Sequence, residues 1–217
     1  MVCGNRDFCS RKFYAGATTG LQRNRTGCNV ERQEIGLKRI ATFEKVSFAE
    51  FETCYQELCD TVLRQNEAET QKELCAKVVY EAIVLPRRAT SGSAGYDFFS
   101  TCDICLQPGE SVKIPTGIRA YMEEGWVLML YPRSGLGFKY RMQLANTVGV
   151  IDSDYYGSDN EGHIQIKITN DSRDGKVLQI KAGDAFAQGV FTEYGITMDD
   201  EAVSMRNGGF GSTSAQN

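Results

Sequence analysis

From Ile83 onward the chain breaks into short β-rich runs separated by Gly, Pro and Asp turns, and this texture limits the fold more than any other feature. The runs are Ile83–Leu85, Tyr96–Ser100, Ser111–Ala120, Gly125–Tyr131, Gln143–Ile151, Ile164–Thr169, Val177–Ile180 and Ala187–Phe191. Strand-length segments with turn signals every ~8–12 residues predict a mainly β domain, a jelly roll or distorted β-barrel, over 83–205. There is no βαβ alternation and no Walker motif, which argues against a Rossmann-type or P-loop fold.

Upstream the pattern differs. Residues 40–46 alternate toward a short strand. Ser47 is placed to N-cap a helix, with Glu50 three residues on in a capping-box pattern. That helix is predicted over about 48–62, with Phe48, Phe51, Tyr55, Leu58 and Leu63 near one face, and a second over about 67–81 carries Leu74, Val78 and Val79. Both are expected to be packing elements of a short helical extension, 37–82.

Residues 1–36 carry six Lys or Arg against three Asp or Glu and almost no aliphatics, so they hold +3 of a chain whose net charge is −4. This stretch is expected to be disordered or an untranslated leader. Leu37 lies shortly after Gln33-Glu34, which a ribosome-binding-like string can encode, and can itself be an alternative start. A basic transit-type leader fits less well, because no amphipathic helix is visible.

With 41% hydrophobic residues, ten Tyr and eleven Phe, the composition is globular. The acidic balance argues against a nucleic-acid groove, though not against a nucleotide. No apolar run approaches the ~18 residues of a membrane helix, and no secretory h-region is visible. The eight cysteines are scattered, which suggests reduced thiols and a cytoplasmic location. Cys102-Asp103-Ile104-Cys105 is a CxxC, but without a second pair and with one His in the chain it makes a poor zinc site.

Five segments combine residue types suited to chemistry. Ala94-Gly95-Tyr96-Asp97 puts a carboxylate at a strand start. Pro132-Arg133-Ser134-Gly135-Leu136-Gly137 is a glycine-containing turn with a cation and a hydroxyl, able to hold phosphate. Asn146-Thr147-Val148-Gly149-Val150-Ile151-Asp152-Ser153-Asp154-Tyr155 ends an apolar strand in two acids and an aromatic. Ala182-Gly183-Asp184-Ala185-Phe186-Ala187-Gln188 is a tight turn entering a strand. The tail, Arg206-Asn207-Gly208-Gly209-Phe210-Gly211-Ser212-Thr213-Ser214, cannot build a core but suits closing over a ligand. Its backbone N–H groups and hydroxyls face phosphate, its Arg adds charge, and its Phe offers a ring to a base.

In this order and spacing the five resemble the signature motifs of the trimeric dUTPase family, over about Pro86 to Asn217. The resemblance implies a β jelly roll, hydrolysis of dUTP to dUMP and pyrophosphate, and a homotrimer with shared active sites, each closed by a C-terminal arm, 206–217. It implies Asp152 as the general base for the water that attacks the α-phosphorus. Tyr155 would stack on the deoxyribose and exclude a 2′-hydroxyl. Asn146 would read uracil with its amide, joined by backbone groups of Val150, Ile151 and Gln165. Arg133, Ser134, Gly135 and Gln188 would hold the phosphates. Arg206 would reach the γ-phosphate, Phe210 would stack over uracil, and Gly211 and Ser212 would complete the arm. Mg²⁺ would be held mainly by phosphate and water, with Asp97 touching its water shell.

Two departures stand out. The segment Tyr156–His163 is about five residues longer than the family hairpin, so Gly157 or Gly162 can match the family glycine, and the role of Gln165 assumes Gly162. The tail is one residue shorter between Arg206 and Phe210. His163 is expected to be an exposed turn residue. Two alternatives are a regulatory protein of the same fold that binds nucleotide and a protein partner, and a dCTP deaminase. The deaminase fits poorly because Lys167 stands where its acid–base Glu would be.

Overall fold

In the computed structural model, residues 36–62 and 69–202 are described. From Arg39 onward they belong to one compact unit. The set of strands is longer than the sequence suggests: β1 Ala41–Lys45, β2 Arg87–Arg88, β3 Tyr96–Phe99, β4 Ile104–Leu106, β5 Ser111–Met122, β6 Trp126–Pro132, β7 Met142–Leu144, β8 Gly149–Ile151, β9 Ile164–Asn170, β10 Leu178–Ile180 and β11 Ala185–Glu193. They pair antiparallel throughout, as a four-stranded sheet β1-β5-β9-β7, a five-stranded sheet β2-β3-β11-β6-β8 and a short β10-β4 pair. The fold is mainly β and jelly-roll-like, and these sheets do not close into a barrel.

Alternation explains which face each strand buries. In β9, Ile164, Ile166, Ile168 and Asn170 are buried while Gln165, Lys167 and Thr169 are not, as a period of two requires. Those isoleucines join Phe98, Leu128, Leu130, Met142, Leu178 and Phe186 in one core. Each such side chain contributes about 1.5–3 kcal/mol on burial.

The leading segment belongs to the same core. Strand β1 adds to the edge of β5, with Phe43 opposite Ala120. Helix α1, Phe48–Val62, turns Phe51, Tyr55 and Leu58 inward, at 0%, 4% and 5% exposure, and the Phe51 and Tyr55 rings stack at 5.3 Å. Helix α2, Glu69–Ala82, is tied on by Tyr80, whose hydroxyl donates to Val46 O at 2.7 Å.

Three local expectations change. Ile83–Leu85 is not a strand: Pro86 cannot donate to a ladder, and pairing starts at Arg87. The run Gln143–Ile151 splits into β7 and β8, because Thr147 takes φ 68° in a tight turn closed by its N–H to Leu144 O at 2.8 Å. The turn after Arg133 is a short helix, α3, Ser134–Tyr140. Part of the CxxC lies in β4, and burial pushes the Cys102 thiol up to about 11, which disfavours the thiolate that metal or redox chemistry needs.

Candidate functional site

The predicted residues fall into two groups. The first lies on the five-stranded sheet. Asp97 in β3 pairs with Gln188 in β11, and Gln188 in turn pairs with Tyr131 in β6. Arg133 follows β6 directly. Its backbone N–H donates to Phe186 O at 3.1 Å, and its guanidinium forms an ion pair with the Asp97 carboxylate. The Asp97 side chain is 14% exposed and that of Arg133 38%, so the cation faces outward over a sheltered acid. The Gln188 amide donates to Pro132 O at 3.3 Å. Gly95 makes room for it: a Cβ there would lie 2.7 Å from Gln188 Oε1.

Arg133 also opens α3. Its carbonyl accepts from the N–H groups of Leu136 and Gly137 at 3.1 and 3.0 Å. The next two residues, Ser134 and Gly135, are exposed. A cation, a hydroxyl and a small residue thus stand together at the surface, a grouping suited to phosphate oxygens.

The second group runs from the turn before β8, through the connection between β8 and β9, into β9. The hairpin expected there is not formed, because β8 and β9 pair into different sheets and a 3₁₀ turn lies between them. Val150 and Ile151 pair with Met129 and Leu128 of β6, and Val150 is exposed. Asp152 follows in extended conformation and caps the 3₁₀ turn Ser153–Gly157. Tyr155 is 5% exposed. Its hydroxyl donates to His163 O at 2.9 Å and accepts from the Asn160 amide at 2.8 Å. Asn146 sits exposed in the turn before β8, and its carbonyl accepts from Val148 N–H at 2.7 Å. Gln165 is level with Pro115 across the β5–β9 ladder.

Gly162 meets the conformational demand of this connection. It has φ +70°, and a Cβ there would lie 2.7 Å from Tyr156 Cα and 2.8 Å from Tyr155 O, whereas a Cβ on Gly157 meets nothing within 4 Å.

The chain does not unite the two groups. Gln188 is level with Tyr131 and Ile151 with Leu128. The offset is roughly 10 Å along β6, and β11 and β8 flank β6 on opposite sides, about 9.5 Å apart. Arg206, Phe210, Gly211 and Ser212 lie outside the described residues.

His163 corrects an expectation. It is fully buried, at 0% exposure, because its ring fills a bulge in β5. Gly117 N–H donates to its Nε2 at 3.0 Å, and its Nδ1 lies 3.1 Å from Glu50 Oε1. Burial depresses its pKa below the usual 6.5, against the opposing pull of Glu50 and Glu161. Glu50 was expected to serve only the capping box. The sequence signal for a partner was an acid at the edge of the apolar face of α1, beside Phe51 and Cys54.

Among the described residues, one cluster offers three metal-ligating types within 4.8 Å of one another: Glu50, Cys54 and His163. Asp97 is not part of it. The Gly117 N–H occupies the Nε2 lone pair, so the neutral ring carries its proton on Nδ1 and has no lone pair left there for a metal. Burial pushes the Cys54 thiol up to about 12, which also opposes a ligating thiolate. No helix among the described residues is long and apolar enough to cross a membrane.

Comparison with known proteins bears on these motifs. The dUTPase family profile matches residues 81–214. The deoxyuridine 5′-triphosphate nucleotidohydrolase of Lactococcus lactis subsp. lactis (strain IL1403) is 42% identical over 146 residues, covering 66% of this chain and 96% of that protein. Its counterpart from Haemophilus ducreyi is 40% identical over 140 residues, covering 61% and 88%. The crystal structure of dUTPase from Streptococcus mutans shares 39% identity, covers 52% of this chain and 88% of that one, and superposes with a TM-score of 0.47.

Proposed function

The chain belongs to the dUTPase family, and on that footing we propose that it hydrolyses dUTP to dUMP and pyrophosphate, with each active site assembled from residues of more than one copy. The observation that carries this reading is the offset along β6. Arg133 and Gln188 stand at one end and the strand leading to Asp152 nearer the other, too far apart for one chain to bring both to the same phosphorus. A second copy supplying the missing group resolves this, and a closed trimer is the symmetric arrangement the family suggests.

In this reading Arg133, Ser134, Gly135 and Gln188 bind the phosphates, Arg133 through charge-assisted hydrogen bonds. Asp152 of another copy takes a proton from the attacking water. Asn146, Val150, Ile151 and Gln165 read uracil. Tyr155, fixed by His163 and Asn160, forms the floor against which the deoxyribose lies without room for a 2′-hydroxyl. Arg206, Phe210, Gly211 and Ser212 close the site.

Mg²⁺ fits the donor set as a metal that arrives with substrate. A lone, sheltered carboxylate at Asp97, already balanced by Arg133, is too few ligands for a resident ion but suits a contact through water. When bound, the ion neutralises charge on the phosphate oxygens.

Pyrophosphate release from dUTP, with UTP, dTTP and dCTP alongside, tests the proposal. Release from dUTP in strong preference to the other three is expected. No release by the folded protein would overturn it.

A further inference from the structure

The segment before residue 81 lies outside the region that matches the family, yet it grips the connection between β8 and β9 at three points and the start of β9 at a fourth. Tyr156 donates its hydroxyl to Glu44 at 2.8 Å. Ser47 N–H donates to Glu161 Oε2 at 2.7 Å. His163 Nδ1 faces Glu50 Oε1 at 3.1 Å. The Gln165 amide donates to Cys54 Sγ at 3.1 Å.

The helix start shows how the grip is made. Ser47 Oγ accepts from Glu50 N–H at 3.2 Å, which is half of a capping box. The reciprocal half is not made by Glu50. Glu161, from that connection, takes the Ser47 N–H instead, and Ser47 holds its carboxyl below the usual range. Glu50 is thereby released to meet His163. Glu161 adopts φ +56° to do this, a left-handed conformation that a non-glycine residue holds only where contacts fix it.

The grip reaches the proposed site through His163. Its ring is held between Glu50 and Gly117 N–H, and its carbonyl accepts from the Tyr155 hydroxyl at 2.9 Å. A shift of His163 therefore moves Tyr155, and with it the turn that starts at Asp152.

We propose that the strand–helix segment Ala41–Val62 is the support that positions this connection, and that Glu50 and His163 act as positioning residues for its selectivity toward the sugar and base. The selectivity part rests on the function proposed above; the support itself does not.

The test uses the full-length chain and the variants Glu50→Ala, Glu50→Gln and Glu161→Ala. Two quantities are read: the ratio of kcat/KM for dUTP over UTP, and amide hydrogen exchange across 153–166. Both alanine variants are expected to lower the ratio about tenfold, since small misplacements of binding groups have effects of this order. Exchange across 153–166 should speed up while that of β6 and β11 stays as in the parent. Glu50→Gln keeps an acceptor for His163 and should restore both readouts. If Glu50→Ala does not fold, Glu161→Ala carries the same comparison, since its side chain is not part of the core. Parent-like exchange and ratio in a folded alanine variant would overturn the inference, as would a fall in kcat with both unchanged. If the parent protein does not hydrolyse dUTP, the proposed function fails, and the exchange comparison still decides the support.

Discussion

The backbone N–H of Gly117 donates to His163 Nε2 at 3.0 Å inside the fold. This one bond fixes the tautomer of the ring, since the accepting nitrogen cannot carry a proton. Protonating the ring would set two N–H groups against each other.

A pH dependence follows. Burial depresses the His163 pKa in the folded chain below 6.5, with Glu50 and Glu161 pulling it up and Lys113 pushing it down. As pH falls below 6.5 the unfolded chain takes up a proton that the folded chain still refuses. The contribution to stability is therefore full above that value and is lost as pH drops toward the folded pKa. Thermal melts from pH 7.5 to 5 should show Tm falling more steeply for the parent than for His163→Gln. Parallel curves would show that His163 does not control the loss.

Gly162→Ala should destabilise the chain by about 2 kcal/mol or more, since it combines positive φ with contact against fixed backbone. Its Cβ would lie 2.7 Å from Tyr156 Cα. Gly157→Ala, with nothing within 4 Å, is the control and should lie within ~0.5 kcal/mol of the parent. Urea denaturation of the pair checks the contrast.

The fold shows what could be read in advance. Helix α1 is legible because Ser47 starts it and its apolar face has a clear period, and β9 is legible because its isoleucines alternate. Helix α3 is not, since Ser134–Tyr140 holds two glycines and buries no residue. Strand β4 is three residues long and exists because Leu178–Ile180 pairs with it. Asp97, Arg133 and Gln188 were each visible as motif residues, and the structure joins them through register. The burial of His163 was invisible because it depends on Gly117 and Glu50, 46 and 113 residues away, and no local pattern encodes such contacts.

Phe51→Ala should cost about 3–5 kcal/mol, the usual loss for removing a buried aromatic ring. The ring is 0% exposed and stacks on Tyr55. A loss of that size in urea denaturation would show that the leading helix is part of the cooperative unit. A change below ~1 kcal/mol would mean that α1 unfolds separately from the sheets.

Asp152→Ala and Arg133→Ala should each be nearly inactive alone, losing roughly 10²-fold or more in kcat, as expected for a general base or a phosphate-binding charge. Their mixture is more informative. If every site takes Asp152 from one copy and Arg133 from another, subunits unfolded and refolded together at equal amounts rebuild intact sites. With random assembly roughly a quarter of the sites receive both residues, so about a quarter of parent activity should return. If one chain supplied both groups, no mixture could contain an intact site and activity would stay at the level of the single variants. The regain, measured as pyrophosphate release from dUTP, therefore tests whether the offset along β6 is bridged by a neighbouring copy.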